Sequence, residues 1–225
     1  MNKRIIIGVV AAAVVAVAVL VGINVLGGDD DAEGIQGADE VRALFADLPQ
    51  SGNTVGPADA PVEIIEYGDT SCPACKAASE SIIPELIRGP VAEGRAKLSF
   101  RPIAFINASS ERGALGAEAA ALQDAMWPFV ELVYKNQGPE SEDWLSDDLM
   151  LQMAEEIGLD ADRWQADYEG EDVATAFFER SESAAQDQVS ATPTFIVRGP
   201  RGEQRVEGFD LEDFEAAIAE VGPAA

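Results

Sequence analysis

The chain has two cysteines, and both lie in Cys72-Pro73-Ala74-Cys75. Only the thiolate of a cysteine is a good nucleophile, and a helix N-terminus favours it through unpaired N–H groups and a partial positive charge. Pro73 suits a first helical position, so the spacing predicts Cys72 at the start of a helix as nucleophile and Cys75 one turn inside as resolving thiol. Helical side chains three apart have Cβ atoms about 5–6 Å apart, whereas a relaxed disulfide wants about 3.8 Å. A bridge here is therefore expected to be strained, exposed and exchangeable. An inert local disulfide is the structural alternative, but this loop is nearly the shortest that can be closed and so stabilises little. Half of a metal site is the third reading; it needs two more soft ligands, which the chain lacks unless it dimerises, so no metal is expected.

Two further positions bear on that pair. Glu66 lies six residues before Cys72 in an otherwise apolar stretch, Val62-Glu63-Ile64-Ile65-Glu66-Tyr67, with Val62 and Ile64 on its own face by period-2 alternation. Buried, its carboxyl would be raised toward the range useful for moving the Cys75 proton; at a solvated strand end it would be ordinary, as Glu63 on the opposite face shows. Thr192-Pro193 precedes a late strand, where proline is tolerated at entry, and by local physics alone the bond reads as trans. Asn107-Ala108-Ser109 is a glycosylation sequon, a pattern with many false positives, and Trp127, Phe129 and Tyr134 read as helix core.

Composition closes other routes. There is no histidine, which removes His-based triads, metal sites and proton shuttles, and a net charge of -26 argues against nucleic-acid binding. Ile5 to Leu26 is an uncharged apolar run which, as a helix, spans roughly 33 Å, enough for a bilayer core. Lys3 and Arg4 precede it and Asp29, Asp30 and Asp31 follow, so residues 1–4 are expected in the cytoplasm, 5–26 as a transmembrane anchor and the rest outside. A cleaved secretory signal is the rival and gives the same compartment. The exported part has 13 basic against 41 acidic residues, a solvated acidic surface or the mark of a saline habitat.

The elements that must position the pair follow from local patterns. Residues 27–37 form a Gly/Asp-rich linker, and a short amphipathic helix begins at Ala38, with Val41, Leu44, Phe45 and Leu48 at helical spacing, and is stopped by Pro49. Residues 51–61 are turn-rich, a strand spans 62–67, and a helix runs from Pro73 to about Arg88 with a kink at Pro84. A second strand covers 96–105, and residues 108–188 form several helices broken at Gly158 and Gly170. A hairpin then pairs 194–197 with 204–206, and Asp210 caps a last helix facing inward through Leu211, Phe214, Ile218 and Val221. The fold class is α/β.

Over residues 54–221 the sequence resembles the DsbA-like thiol-disulfide oxidoreductases of the thioredoxin superfamily. The resemblance is carried by Gly56-Pro57-Ala58-Asp59-Ala60-Pro61-Val62, by Glu66-Tyr67-Gly68-Asp69-Thr70-Ser71 before the cysteines, by Arg101-Pro102, by Gly158-Leu159-Asp160 and by Val189 to Phe195. It implies one thioredoxin-fold domain over 38–225 with a helical insertion at about 108–188. It also implies that Pro193 is cis, that Thr192 presents backbone to a cysteine-containing peptide and that Glu66 is a buried acid beneath the active site. Two departures stand out: strongly oxidising relatives carry His where this chain has Ala74, and a commoner Gly is replaced by Ala191. The expected activity is disulfide donation to exported proteins through a mixed disulfide on Cys72. No cofactor beyond the redox-active Cys72–Cys75 disulfide is expected, and the partner is a membrane redox protein, either a quinone-linked oxidase or an electron-donating reductase. A reductase or isomerase kept reduced from the membrane, and a non-catalytic client-binding module, are the competing expectations.

Overall fold

A computed structural model describes residues 34–224. The expected cytoplasmic residues 1–4, the anchor 5–26 and the linker as far as residue 33 lie outside the described residues. Among the described residues, six strands form one mixed sheet in the order β1-β2-β4-β3-β5-β6. These are β1 Gln50–Ser51, β2 Thr54–Val55, β3 Val62–Gly68, β4 Ala96–Pro102, β5 Thr194–Gly199 and β6 Gly202–Val206.

β3 is the central strand. It runs parallel to β4, with Glu66 opposite Phe100, and antiparallel to β5, with Glu66 opposite Phe195. Covered on both faces, it reads as a nearly continuous apolar run rather than an alternating one. The parallel β3–β4 pair requires a crossover. Helix α2 (Pro73–Glu80), helix α3 (Ile82–Leu86) and a π-turn at Ile87–Val91 supply it. The predicted single helix is thus broken at Ser81 (φ -110, ψ -78), three residues before Pro84. The reason is local: Pro84 has no N–H for the Glu80 carbonyl and its ring clashes with that group.

Helix α1 (Ala38–Phe45) precedes the sheet. Between β4 and β5 come α4 (Ala108–Ala121), α5 (Met126–Lys135), α6 (Asp147–Glu156), α7 (Ala161–Tyr168) and α8 (Glu171–Gln186), and α9 (Leu211–Val221) closes the domain. α5 is buried along its whole length up to Lys135, as a helix apolar on every side must be. Trp127 on α5 donates to the Leu98 carbonyl at 3.2 Å, and Phe100 packs edge-on against Trp127 and Tyr134.

Three local expectations differ from the structure. The turn-rich stretch contains the small hairpin β1–β2, which extends the sheet beyond β4. β4 ends at Pro102 rather than at residue 105, because proline withholds a ladder donor. Asp210 stands at the N-cap of α9, yet its side chain makes no capping bond; its backbone carbonyl accepts from Asp213 N–H at 3.1 Å.

Candidate active site

The site forms where β3 runs out into α2. Gly68, the last residue of β3, is tight: a Cβ there would lie 2.6 Å from the Phe100 ring and 2.8 Å from the Tyr134 hydroxyl. The loop Asp69-Thr70-Ser71 is buried, so its polar groups need internal partners. Asp69 supplies most of them. Its carboxylate accepts from Ser71 N–H at 2.9 Å and Phe105 N–H at 3.1 Å, and its carbonyl accepts from Cys72 N–H at 2.9 Å and Tyr134 Oη at 3.3 Å. Gln137 donates to the carbonyls of Thr70 at 2.8 Å and Cys72 at 3.1 Å.

The loop delivers Cys72 to the N-cap of α2 with extended backbone (φ -80, ψ 119), and Pro73 follows at the first helical position. Cys72 Sγ accepts from Cys75 N–H at 3.4 Å and donates to the Thr192 carbonyl at 3.4 Å. Both cysteines are free thiols. A hydrogen bond from the Cys75 thiol lowers the Cys72 pKa; burial opposes it, Thr192 and the Cys75 and Ala74 N–H groups assist it, and the net value is about 6. Burial pushes the Cys75 thiol far up, reinforced by Cys72 and the negative charge of Glu66. One sulfur is thus ready to ionise near neutral pH, while the other keeps its proton until a base removes it.

The expectation of an exposed pair is corrected. Cys72 is 6% exposed, with the Thr192 carbonyl against its sulfur, and Cys75 is fully buried in the core beside Glu66, Asp69 and Tyr134; Pro73 and Ala74 alone of the motif face solvent. Thr192-Pro193 is cis, as the resemblance implied and against the reading from local physics.

Glu66 lies beneath the pair and is 1% exposed, so the solvated strand-end reading fails. Burial holds its carboxyl well above the ordinary range, with Glu131 and Cys72 adding to the rise. Neither Glu131 nor Tyr134 was singled out for chemistry from sequence. Glu131, 3% exposed, accepts from Ser79 Oγ at 2.8 Å, and Tyr134, buried against Cys75 and Glu66, has its phenol held well above its usual value by burial first and by those charges second. The available signal was one carboxylate in the apolar run Met126–Lys135. Asn107 of the sequon is engaged structurally: it caps α4, accepts from Ser71 Oγ at 2.9 Å and donates to the Glu140 carbonyl at 2.8 Å. Among the described residues no cluster of three or more His, Cys, Asp or Glu side chains is arranged to hold a metal ion.

A low-pKa thiol at a helix N-terminus, a buried second thiol one turn on and a cis-proline loop against the first are the parts of a thiol-disulfide oxidoreductase. The comparisons agree. A thioredoxin family model matches residues 50–220. The probable disulfide bond formation protein D of Bacillus cereus is 30% identical over 165 residues, covering 72% of this chain and 76% of the relative. Oxidised BdbD from Bacillus subtilis superposes with a TM-score of 0.67 at 24% identity, over 76% of this chain and 95% of that one. Chlamydia trachomatis DsbA does so at 0.65 and 20%, over 74% and 89%. The chain belongs to the thioredoxin family, as a DsbA-like thiol-disulfide oxidoreductase.

Proposed function

We propose that this enzyme donates disulfides to exported proteins, with Cys72 as nucleophile and Cys75 as resolving thiol. The observation that carries the reading is the place of Cys72 Sγ at the N-cap of α2, accepting from the Cys75 thiol and from Cys75 N–H at 3.4 Å, which lowers its pKa to about 6; a stabilised thiolate favours the reduced enzyme and makes its disulfide a better oxidant. A substrate thiolate attacks Cys72 Sγ of the oxidised enzyme, the Cys72–Cys75 bond breaks, and Cys75 leaves with the electron pair and takes a proton from Glu66. A second substrate thiolate then attacks the substrate sulfur of the mixed disulfide and releases Cys72 as thiolate. Two electrons pass from the substrate dithiol to the enzyme. Thr192 and Pro193 are read as the backbone platform for the substrate strand, and no metal or organic cofactor enters.

The apolar run 5–26 supports tethering to the cell membrane with the catalytic domain extracytoplasmic. The names of the Bacillus relatives support disulfide formation as the net reaction. A membrane redox partner, quinone-linked if it oxidises the pair, would restore the disulfide. The deciding experiment is the reduction potential of the pair in the full-length, detergent-solubilised protein. A value above roughly -180 mV supports donation, whereas one near or below roughly -250 mV replaces it with a reductase supplied from the membrane. Binding of a client unchanged after replacement of both cysteines, together with no exchange, would favour a binding module.

A further inference from the structure

Cys75 is fully buried, and so is Glu66, the carboxyl that senses it, so a proton exchanged at this sulfur has no direct way to water. The interior continues past Glu66 to Glu131 on α5. Oε2 of Glu131 accepts from Ser79, but no protein donor among the described residues reaches Oε1 of Glu131 or Oε1 of Glu66. Two buried, incompletely bonded carboxyls cost stability, so packing does not account for them. They are near enough for charge on Glu131 to raise Glu66. Glu131 also lines a partly open cavity of about 610 Å³ between α1, α2, α3 and α5, of which Glu66 is not a lining residue.

We propose that Glu131 is the second carboxyl of a proton relay that joins Glu66 to this cavity and so connects Cys75 with solvent. The inference rests on thiol-disulfide exchange at Cys72 and Cys75, in either direction. When Cys75 leaves as thiolate, Glu66 gives it a proton, Glu131 reprotonates Glu66, and Glu131 takes a proton from water in the cavity. When Cys75 attacks, each proton moves the opposite way. Glu131 acts through Glu66 and touches no reacting sulfur, which makes it a positioning residue.

The groups facing Glu131 suit the task. Burial raises its carboxyl to about 8, Ser79 and Lys135 pull it down and Glu80 pushes it up. Lys135 is neutralised by Glu40 at 2.7 Å, and Glu85 and Arg88 stand at the cavity wall. Glu131 therefore holds its proton near neutral pH and can still release it.

The test is steady-state exchange between a reduced peptide dithiol and glutathione disulfide across pH 5.5–8.5, since each cycle protonates and deprotonates Cys75 once. Glu131→Gln keeps an acceptor for Ser79 but cannot carry a proton; it is expected to slow turnover about tenfold or more and to alter the pH profile. The alkylation profile of Cys72 should change little. Glu131→Asp should recover part of the rate, and imidazole, whose cationic acid form suits the acidic cavity, should restore Glu131→Ala in a concentration-dependent way. A Glu131→Gln enzyme with wild-type rates and profile overturns the relay, as does a slow enzyme that neither aspartate nor imidazole improves. A wild-type protein without turnover removes the activity and the relay together, whereas an inert substitution in an active enzyme removes the relay alone.

Discussion

Glu66 and Tyr67 are neighbours on β3 and point to opposite faces of the sheet, and the polar clusters around them are built on opposite terms. Tyr67 heads a charge-balanced network: its hydroxyl accepts from Arg101 at 2.7 Å and donates to Asp187, Asp187 also pairs with Arg198, and Arg198 pairs in turn with Glu203 at 2.9 Å. Burial alone would raise the Asp187 carboxyl, but the Tyr67 and Arg198 hydrogen bonds and the guanidinium charges hold it below its ordinary value. Glu66, Glu131 and Tyr134 on the other face are all pushed up, and among the described residues no cation pairs with Glu66. The balanced cluster ties α8 to the sheet and has nothing left to exchange. The unbalanced one keeps its protons near neutral pH, where thiol chemistry needs them.

The sharpest way to test that division is at the sulfurs. Cys72→Ser is expected to reduce exchange to background, while Cys75→Ser should accumulate a mixed disulfide with glutathione that mass spectrometry detects. Glu66→Gln comes next: exchange should slow about 10- to 100-fold while the fold gains about 1–3 kcal/mol at pH 8 in denaturant titrations. A Glu66→Gln protein that is less stable than wild type would show that this carboxyl is structural after all.

Asp187→Ala should do the reverse. It leaves Arg101 and Arg198 short of their shared partner, whose side chain is 13% exposed, and the expected loss is about 1–3 kcal/mol with the exchange rate unchanged. The pH dependences separate the clusters further. Asp187 has a depressed folded pKa, so its contribution is present above the unfolded value and disappears as pH falls through the folded one. Glu131 has a raised folded pKa; the corresponding stability is complete below the unfolded carboxyl value and is lost as pH rises toward about 8. The Asp187→Ala penalty should thus shrink in acid, and the stability gain of Glu131→Gln should grow as pH rises from the unfolded carboxyl value to about 8 and level off above it. Parallel curves for the two variants would dissolve the distinction.

How far these clusters could be read in advance depended on the range of the interaction. β3, the Cys72 helix start and the β5–β6 hairpin rest on neighbours in sequence, and their patterns located them to within a few residues. Glu131 was hidden because one carboxylate in an apolar helix is ordinary unless that helix is buried all round, and α5 becomes so only through α1, α2, α4, α6 and the sheet. The covering of Cys72 comes from Thr192, 120 residues away. The hairpin β1–β2 has two residues per strand, too few for any periodicity to show. The cis bond before Pro193 ran against the local preference, and only the resemblance to a family anticipated it.

The smallest expected effect concerns the exposed dipeptide, where the two clusters cannot reach. Ala74 contributes only its backbone N–H to the Cys72 thiolate. In Ala74→His an imidazolium would add a charge beside that sulfur and lower its pKa from about 6 by about another unit, read from the pH dependence of thiolate absorbance. The reduction potential should rise with it, because the added charge stabilises only the reduced form. The Asp187 network and the Glu66 site should both leave this response unchanged. If Ala74→His moves the Cys72 pKa equally in the wild-type and Glu66→Gln backgrounds, the thiolate is set from the helix end and the proton supply from below, as two separable controls on one disulfide.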